Sequence, residues 1–136
     1  MTLNEWAKEI HENAVAHGWW DDERSFGDIV ALCHSELSEA LEEYRSNRPM
    51  LWYACKEAEK KMPCDPKDET ECRWYGAEDR CGYRDGKPEG IATEMIDCII
   101  RILDWCGKEN LDVDKLLELK HVYNKTRPYR HGGKAL

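Results

Sequence analysis

The sequence predicts an all-α protein, a bundle of about four main helices with an irregular cysteine-rich insertion. Two observations carry this prediction. Apolar residues recur every three or four positions in separate segments, which is the helical period, while strand-like alternation is nowhere convincing. Between the second and third of these segments the helical period is lost, over about residues 48–88. A length of 136 residues with 41% hydrophobic content fits one domain spanning residues 1–136.

The first two helices are predicted from capping signals at their N-termini. Thr2-x-x-Glu5 has the form of a capping box, and the apolar period after it predicts a helix to about Gly18. Ser25-x-x-Asp28 has a similar form and opens a second helix that reaches about Arg45. These are the two longest uninterrupted patterns in the first half of the chain.

The third and fourth helices follow the insertion. The third is expected from about Glu89 to Gly107, and because it is apolar on most sides we expect it to be central in the bundle. Asp112 then caps a shorter fourth helix that stops before Pro128. The tail from Tyr129 onward contains two glycines and is expected to be extended.

The insertion contains four of the seven cysteines, and their role is open on sequence grounds. One interpretation is a structural Zn²⁺ that staples a segment with no apolar period of its own. The intervals between these cysteines, however, lack the close CxxC pairs of most zinc sites. Two disulfides or four independent, half-buried thiols explain the same residues. The cysteines are Cys55, Cys64, Cys72 and Cys81.

Charge and composition narrow the range of partners. A net charge of −8 and a pI near 5.2 argue against a general binder of nucleic-acid polymers or anionic membranes, which need a basic surface. The chain start lacks a basic region before an apolar run, and no stretch approaches the roughly 20 apolar residues of a spanning helix. We therefore expect a cytoplasmic protein whose cysteines are reduced thiols or metal ligands.

Two pairs of acidic residues are placed where a helix should be buried. Glu36 and Glu39 continue the apolar stripe of the second helix, and Glu94 and Asp97 lie three residues apart in the apolar third helix. Burying ionised carboxylates without a counter-charge is very costly. A divalent cation is an economical solution, and oxygen-only ligands favour Mg²⁺ or Mn²⁺ over zinc.

Each of these features also has a structural explanation. An ExxE pair is common on a solvated helix face, and Arg101, one turn beyond Asp97, is a candidate partner for that acid without any metal. From Leu119 to Leu136 there is no Asp or Glu but a quarter of all Lys and Arg. Such a segment suits the phosphates of a metal-complexed polyphosphate, and it equally suits a solubilising terminus.

Three segments of the chain resemble the MazG-type all-α nucleoside triphosphate pyrophosphohydrolases, particularly the compact MazG-like forms of bacteria and phages. They are Arg24 to Asp28 leading into His34 to Glu42, Pro88 to Asp97, and Tyr123 to Lys134. In that family an EExxE helix and an ExxD helix hold Mg²⁺. This sequence departs from the pattern at Ser35, which replaces the first Glu of EExxE, and in its long cysteine-rich insertion.

The resemblance implies an activity and a set of site residues. The implied reaction is hydrolysis of an NTP or dNTP between the α and β phosphates, by a homodimer or homotetramer. The implied Mg²⁺ ligands are Glu36, Glu39, Glu94 and Asp97, of which Glu39 and Glu36 are also the candidate catalytic residues. Candidate substrate contacts carried over from the tail motif are Asn124, Arg127 and Lys134.

Two other function classes remain open on sequence grounds. One is a non-catalytic helical binding module whose acids are structural and whose insertion contacts a partner. The other is a di-iron carboxylate bundle, which needs two ExxH motifs, whereas Glu118-x-x-His121 is the one match in the sequence.

Overall fold

The computed structural model describes residues 1–53 and 87–133 and confirms the all-α class. Four main helices are present in the described residues, together with one short helix and a pair of two-residue strands. The elements are α1 Leu3–Ala16, α2 Phe26–Arg45, β1 Trp52–Tyr53, β2 Pro88–Glu89, α3 Ile91–Lys108, α4 Val113–Lys125 and α5 Arg130–Gly133. Most of the predicted insertion, residues 54–86, lies outside the described residues.

The caps predicted for α1 and α4 are both present. Thr2 Oγ1 accepts a hydrogen bond from the backbone N–H of Glu5 at 3.1 Å, and the Glu5 carboxylate accepts one from the N–H of Thr2. At α4, the Asp112 carboxylate accepts from the N–H of Lys115 at 3.1 Å. These side chains satisfy backbone donors that a helix N-terminus otherwise leaves without partners.

The predicted start of the third helix is wrong by two residues. Glu89 belongs to β2, which pairs antiparallel with β1 so that Trp52 lies opposite Glu89. Gly90 follows with a φ of +113°, a conformation that separates the strand from the helix, and α3 begins at Ile91. Two residues are too few to show an alternating pattern, so no sequence pattern indicates this pairing.

The expected extended tail is also corrected in its described part. Arg130–Gly133 form the single turn α5, and the N–H of Gly132 donates to the carbonyl of Tyr129 at 3.3 Å. Gly132 has a φ of +83°, which glycine adopts at little cost. Residues 134–136 lie outside the described part of the chain.

The chain divides into two compact units. Unit 1 comprises Met1–Ser25 with Ile100–Leu136, and unit 2 comprises Phe26–Ile99. The organisation of residues 1–136 as one domain stays a prediction. In unit 1, Ala7, Leu103 and Cys106 form the centre of a small apolar core, against which four partly buried residues pack. These are Ile10, Trp105, Leu111 and Val113.

Unit 2 has a small core that carries the acidic residues of interest. The buried apolar residues in its described part are Ile29, Ala40, Trp52 and Cys98. Three buried residues in the same described part are acidic: Glu36, Glu89 and Glu94. Since carboxylates are seldom buried without partners, this concentration of buried acids in a small core requires an explanation.

Several large apolar side chains of α3 are exposed in the single chain, whereas the sequence predicts a central position for this helix. Five of its large apolar side chains are between 39% and 52% exposed: Met95, Ile96, Ile99, Ile100 and Ile102. The reason is that the helix is apolar on more sides than one chain covers in the structure. None of the described helices is long and apolar enough to cross a bilayer.

Candidate metal centre

Helices α2 and α3 bring three of the four predicted acids together. Glu36, Glu39 and Glu94 each offer one carboxylate oxygen, and these three oxygens lie within 4.8 Å of one another. Glu36 and Glu94 are 6% and 3% exposed, whereas Glu39 is open to solvent. The group therefore has two buried oxygen donors and one at the surface. This donor set suits a hard divalent cation.

Asp97, the fourth predicted acid, lies one turn after Glu94 on α3 and is half-buried. It is not part of the three-carboxylate group, but its charge contributes to raising the pKa of Glu94. Arg101, the alternative partner considered for Asp97, has its guanidinium 5.3 Å from the centroid of the Trp19 ring. That distance is typical of a cation–π contact.

The electrostatics of the group centre on Glu94. Burial is the largest cause that raises the pKa of Glu94, to about 7, and the charge of Glu39 is the next. Asp97 and Glu89 act in the same direction, while Lys87 opposes them. Near neutral pH and without a cation, the Glu94 carboxyl is thus protonated in a large fraction of molecules. A bound cation would replace that proton.

Sequence patterns predict no role for Glu89 and Lys87, whose charges act on Glu94 of the three-carboxylate group. Glu89 is 6% exposed, and the Lys87 Nζ lies 3.1 Å from its Oε1. Contact with Glu89 raises the pKa of Lys87, and the charges of Glu94 and Asp97 add to this effect. Glu89 precedes the apolar period of α3, so the only sequence signal for it was its position inside one of the three segments that resemble MazG-like enzymes.

Glu43, one turn beyond Glu39 on α2, has a defined partner. The Nε1–H of the buried Trp52 donates to Glu43 Oε2 at 2.7 Å. The guanidinium of Arg48 lies 5.2 Å from the centroid of the Trp52 ring. This network links the C-terminal part of α2 to β1 and orients the Glu43 carboxylate.

Comparison with known proteins provides no relative from which residue roles can be transferred. No family model, no curated protein and no solved structure matches this chain. The roles of the acids therefore follow from their separation, their burial and the charges around them.

The other candidate residues either belong to unit 1 or lie outside the described residues. Asn124 is near the end of α4 and Arg127 follows that helix; both are exposed and belong to unit 1, whereas the three carboxylates belong to unit 2. His121 of the single ExxH match is also exposed on α4. The remaining predicted site residues lie outside the described part of the chain: Lys134, Cys55, Cys64, Cys72 and Cys81.

Proposed function

We propose that this chain is a cytoplasmic, Mg²⁺-dependent nucleoside triphosphate pyrophosphohydrolase. It would cleave an NTP or dNTP between the α and β phosphates and release the monophosphate and pyrophosphate. The observation that carries the proposal is the group of three carboxylate oxygens within 4.8 Å, supplied by Glu36 and Glu39 of α2 and by Glu94 of α3. The three segments that resemble MazG-like enzymes include all three of these residues.

The three acids have different tasks in this proposal. Glu36 and Glu94 are buried, so their oxygens are held in place as cation ligands, with the charge of Asp97 nearby. Glu39 is exposed, so it is placed to accept a proton from a water molecule at the surface of the group. When bound, Mg²⁺ would polarise phosphoryl oxygens, lower the pKa of a water molecule and neutralise the departing pyrophosphate. Mn²⁺ is an alternative for the same oxygen ligands.

Substrate phosphates would be bound by the basic segment from Leu119 to Leu136. Arg127 offers a fork of N–H donors that matches phosphate oxygens, Lys134 a point charge, and Asn124 an amide. The absence of acidic residues between Leu119 and Leu136 favours this use of the segment.

The apolar surface supports self-association into a homodimer or homotetramer. Besides the exposed face of α3, helix α4 has several large apolar side chains more than half exposed, which are Leu116, Leu117, Leu119, Val122 and Tyr123. Large apolar side chains exposed in this number are unusual on a monomer and are typical of an interface. A second copy of the chain has the same apolar faces and would cover those of the first.

A substrate screen tests the proposed activity. The full-length protein is incubated with common and oxidatively damaged dNTPs in Mg²⁺ or in EDTA, and pyrophosphate and orthophosphate are measured separately. We expect pyrophosphate from at least one nucleotide in Mg²⁺ and none in EDTA. Orthophosphate as the primary product would contradict the proposal. Cation binding with no hydrolysis of any nucleotide would favour the non-catalytic binding module.

A further inference from the structure

Unit 1 contains an open cavity that the proposed function does not use. Residues of α1 and of the turn between α3 and α4 line this cavity, whose volume is about 610 Å³. The lining includes three apolar and three polar residues: Ala7, Cys106, Leu111, His11, Glu12 and Asp112. A concave site of this size, with an apolar wall and a few polar groups, is typical of the sites that bind small organic molecules.

His11 is a lining residue whose ring is held in one orientation. Its Nδ1 lies 2.7 Å from Asp104 Oδ1, and the Nε1–H of Trp20 donates to the two oxygens of the same carboxylate at 3.0 and 3.2 Å. The Trp20 ring also packs edge-on against the imidazole, with the ring centroids 5.6 Å apart. Asp104 and Trp20 together therefore preorganise the imidazole of His11.

The same contacts assign the proton of the neutral imidazole to Nδ1. An indole N–H can only donate a hydrogen bond and an ionised carboxylate can only accept, so Asp104 accepts from Trp20 and from His11 Nδ1–H. In this tautomer Nε2 of His11 carries a lone pair and acts as an acceptor. Since Nδ1 is paired with Asp104, Nε2 is the ring nitrogen that can bind a ligand.

The charged residues of the lining favour a cationic ligand. Glu12 and Asp112 contribute two carboxylates, whereas Lys8 contributes one ammonium, whose Nζ lies 3.9 Å from Glu12 Oε1. A hydrogen bond from the Asn4 amide is the largest cause that lowers the pKa of Asp112, so this side chain is ionised at neutral pH. Together with the lone pair of His11, the lining therefore offers acceptors to a ligand that donates.

We propose that this cavity binds a small organic ammonium ion. His11 Nε2 accepts a hydrogen bond from its N–H group, the carboxylates of Glu12 and Asp112 supply the opposite charge, and the apolar residues contact its carbon skeleton. An ammonium group has donors only, which matches these acceptors, whereas the two acids would repel a carboxylate or a phosphate. The inference is independent of the proposed function, because the cavity belongs to unit 1 and the three carboxylates belong to unit 2.

Three probes that share one branched carbon skeleton test the proposal: isoamylamine, isoamyl alcohol and isovalerate. Each is titrated into the full-length protein at slightly alkaline pH, where the amine is charged and an ordinary imidazole is neutral. Long-range ¹H–¹⁵N nuclear magnetic resonance follows the histidine rings, and the signals of His11 are those absent from His11→Phe. We expect the Nδ1–H tautomer at His11 and a saturable shift of its Nε2 signal with isoamylamine. The alcohol should bind about tenfold more weakly, and isovalerate should not bind.

Two variants with matched controls test the residues, with binding of isoamylamine measured by saturation-transfer nuclear magnetic resonance. His11→Phe keeps an aromatic ring but removes the acceptor, and it should weaken binding by about tenfold. Glu12→Gln removes one exposed charge and should weaken binding by about two- to fivefold. The controls are His17→Phe and Glu9→Gln, which change residues of the same part of the chain that do not line the cavity. Both should bind isoamylamine as wild type does.

Several results would overturn the inference. They are equal affinity for the alcohol and the amine, tighter binding of isovalerate, and no saturable binding of isoamylamine. An Nε2–H tautomer of His11 in the free protein, or wild-type affinity in a folded His11→Phe or Glu12→Gln, would do the same. Circular dichroism establishes folding. If His11→Phe does not fold, Glu12→Gln decides, because the Glu12 side chain is 66% exposed.

Discussion

Glu94 is a buried acid whose pKa is raised strongly by its surroundings. It is 3% exposed, and burial together with the Glu39 charge raises its pKa to about 7 from 4.5. The ionisable groups around it in unit 2 include four acids and one base, which are Glu36, Glu39, Glu89, Asp97 and Lys87. The folded protein without a cation therefore holds a proton here that the unfolded chain releases.

This proton predicts a pH dependence of stability in the absence of divalent cations. Between pH 4.5 and 7 the folded state binds more protons than the unfolded state, so the free energy of unfolding should fall as pH rises through this window. The Glu94 contribution amounts to about 3 kcal/mol in total. Urea denaturation in EDTA at several pH values measures it. The Glu94→Gln variant should lose most of this decrease in the free energy of unfolding, and near pH 8 it should be at least as stable as wild type. An equal fall in both proteins would contradict the assignment.

Among individual residues of the candidate metal centre and its surroundings, some could be predicted from the sequence and others could not. Glu36, Glu39 and Glu94 could be found because they interrupt helical apolar stripes, a pattern that places a carboxylate on an inward face. Glu89 and Lys87 could not, because their position depends on pairing between two short strands on either side of the insertion.

At the scale of elements, the turn at Gly90 connects β2 to α3 and so positions both Glu89 and Glu94. Gly90 has a φ of +113°, and an added Cβ would lie under 3 Å from the carbonyl oxygens of Met50 and Pro49. Gly90→Ala therefore combines backbone strain with a steric clash, and we expect it to reduce the free energy of unfolding by about 2 to 4 kcal/mol.

Gly132→Ala is the matched control for this substitution. Gly132 also has a positive φ, of +83°, but nothing lies within 4 Å of an added Cβ there. We expect a cost of about 1 kcal/mol or less from the backbone alone. Chemical denaturation compares the two variants, and Mn²⁺ titration should show weaker binding in Gly90→Ala alone. Equal costs in the two variants would refute the role given to the close approach at Gly90.

The bounds of the helices show which local sequence signals are sufficient to predict where a helix begins. The starts of α1 and α4 followed from capping residues, whose hydrogen bonds are made within a few positions of the chain. The start of α3 and the form of the tail did not follow, because they depend on a tertiary strand pairing and on positive φ angles. Composition permits such angles at a glycine but does not require them.

At the scale of the whole molecule, the apolar surface of α3 and α4 predicts self-association. Several isoleucines of α3 are close to half exposed, and α4 has no buried residue among those described. We expect sedimentation velocity to show a dimer or tetramer over a wide range of protein concentrations, since these faces are apolar. A monomer throughout that range would contradict the assembly and would leave the apolar character of α3 without an explanation.

The most direct test of the central claim is to identify the products of nucleotide hydrolysis by ³¹P nuclear magnetic resonance, for wild type and for Glu36→Gln. Glu36 is a buried member of the three-carboxylate group, and Glu109→Gln serves as the control outside it. With Mg²⁺ and the preferred nucleotide from the screen, wild type and Glu109→Gln should yield monophosphate and pyrophosphate. A folded Glu36→Gln should be slower by orders of magnitude, because a cation ligand is lost. Wild-type rates in Glu36→Gln, or orthophosphate as the first product, would contradict the account.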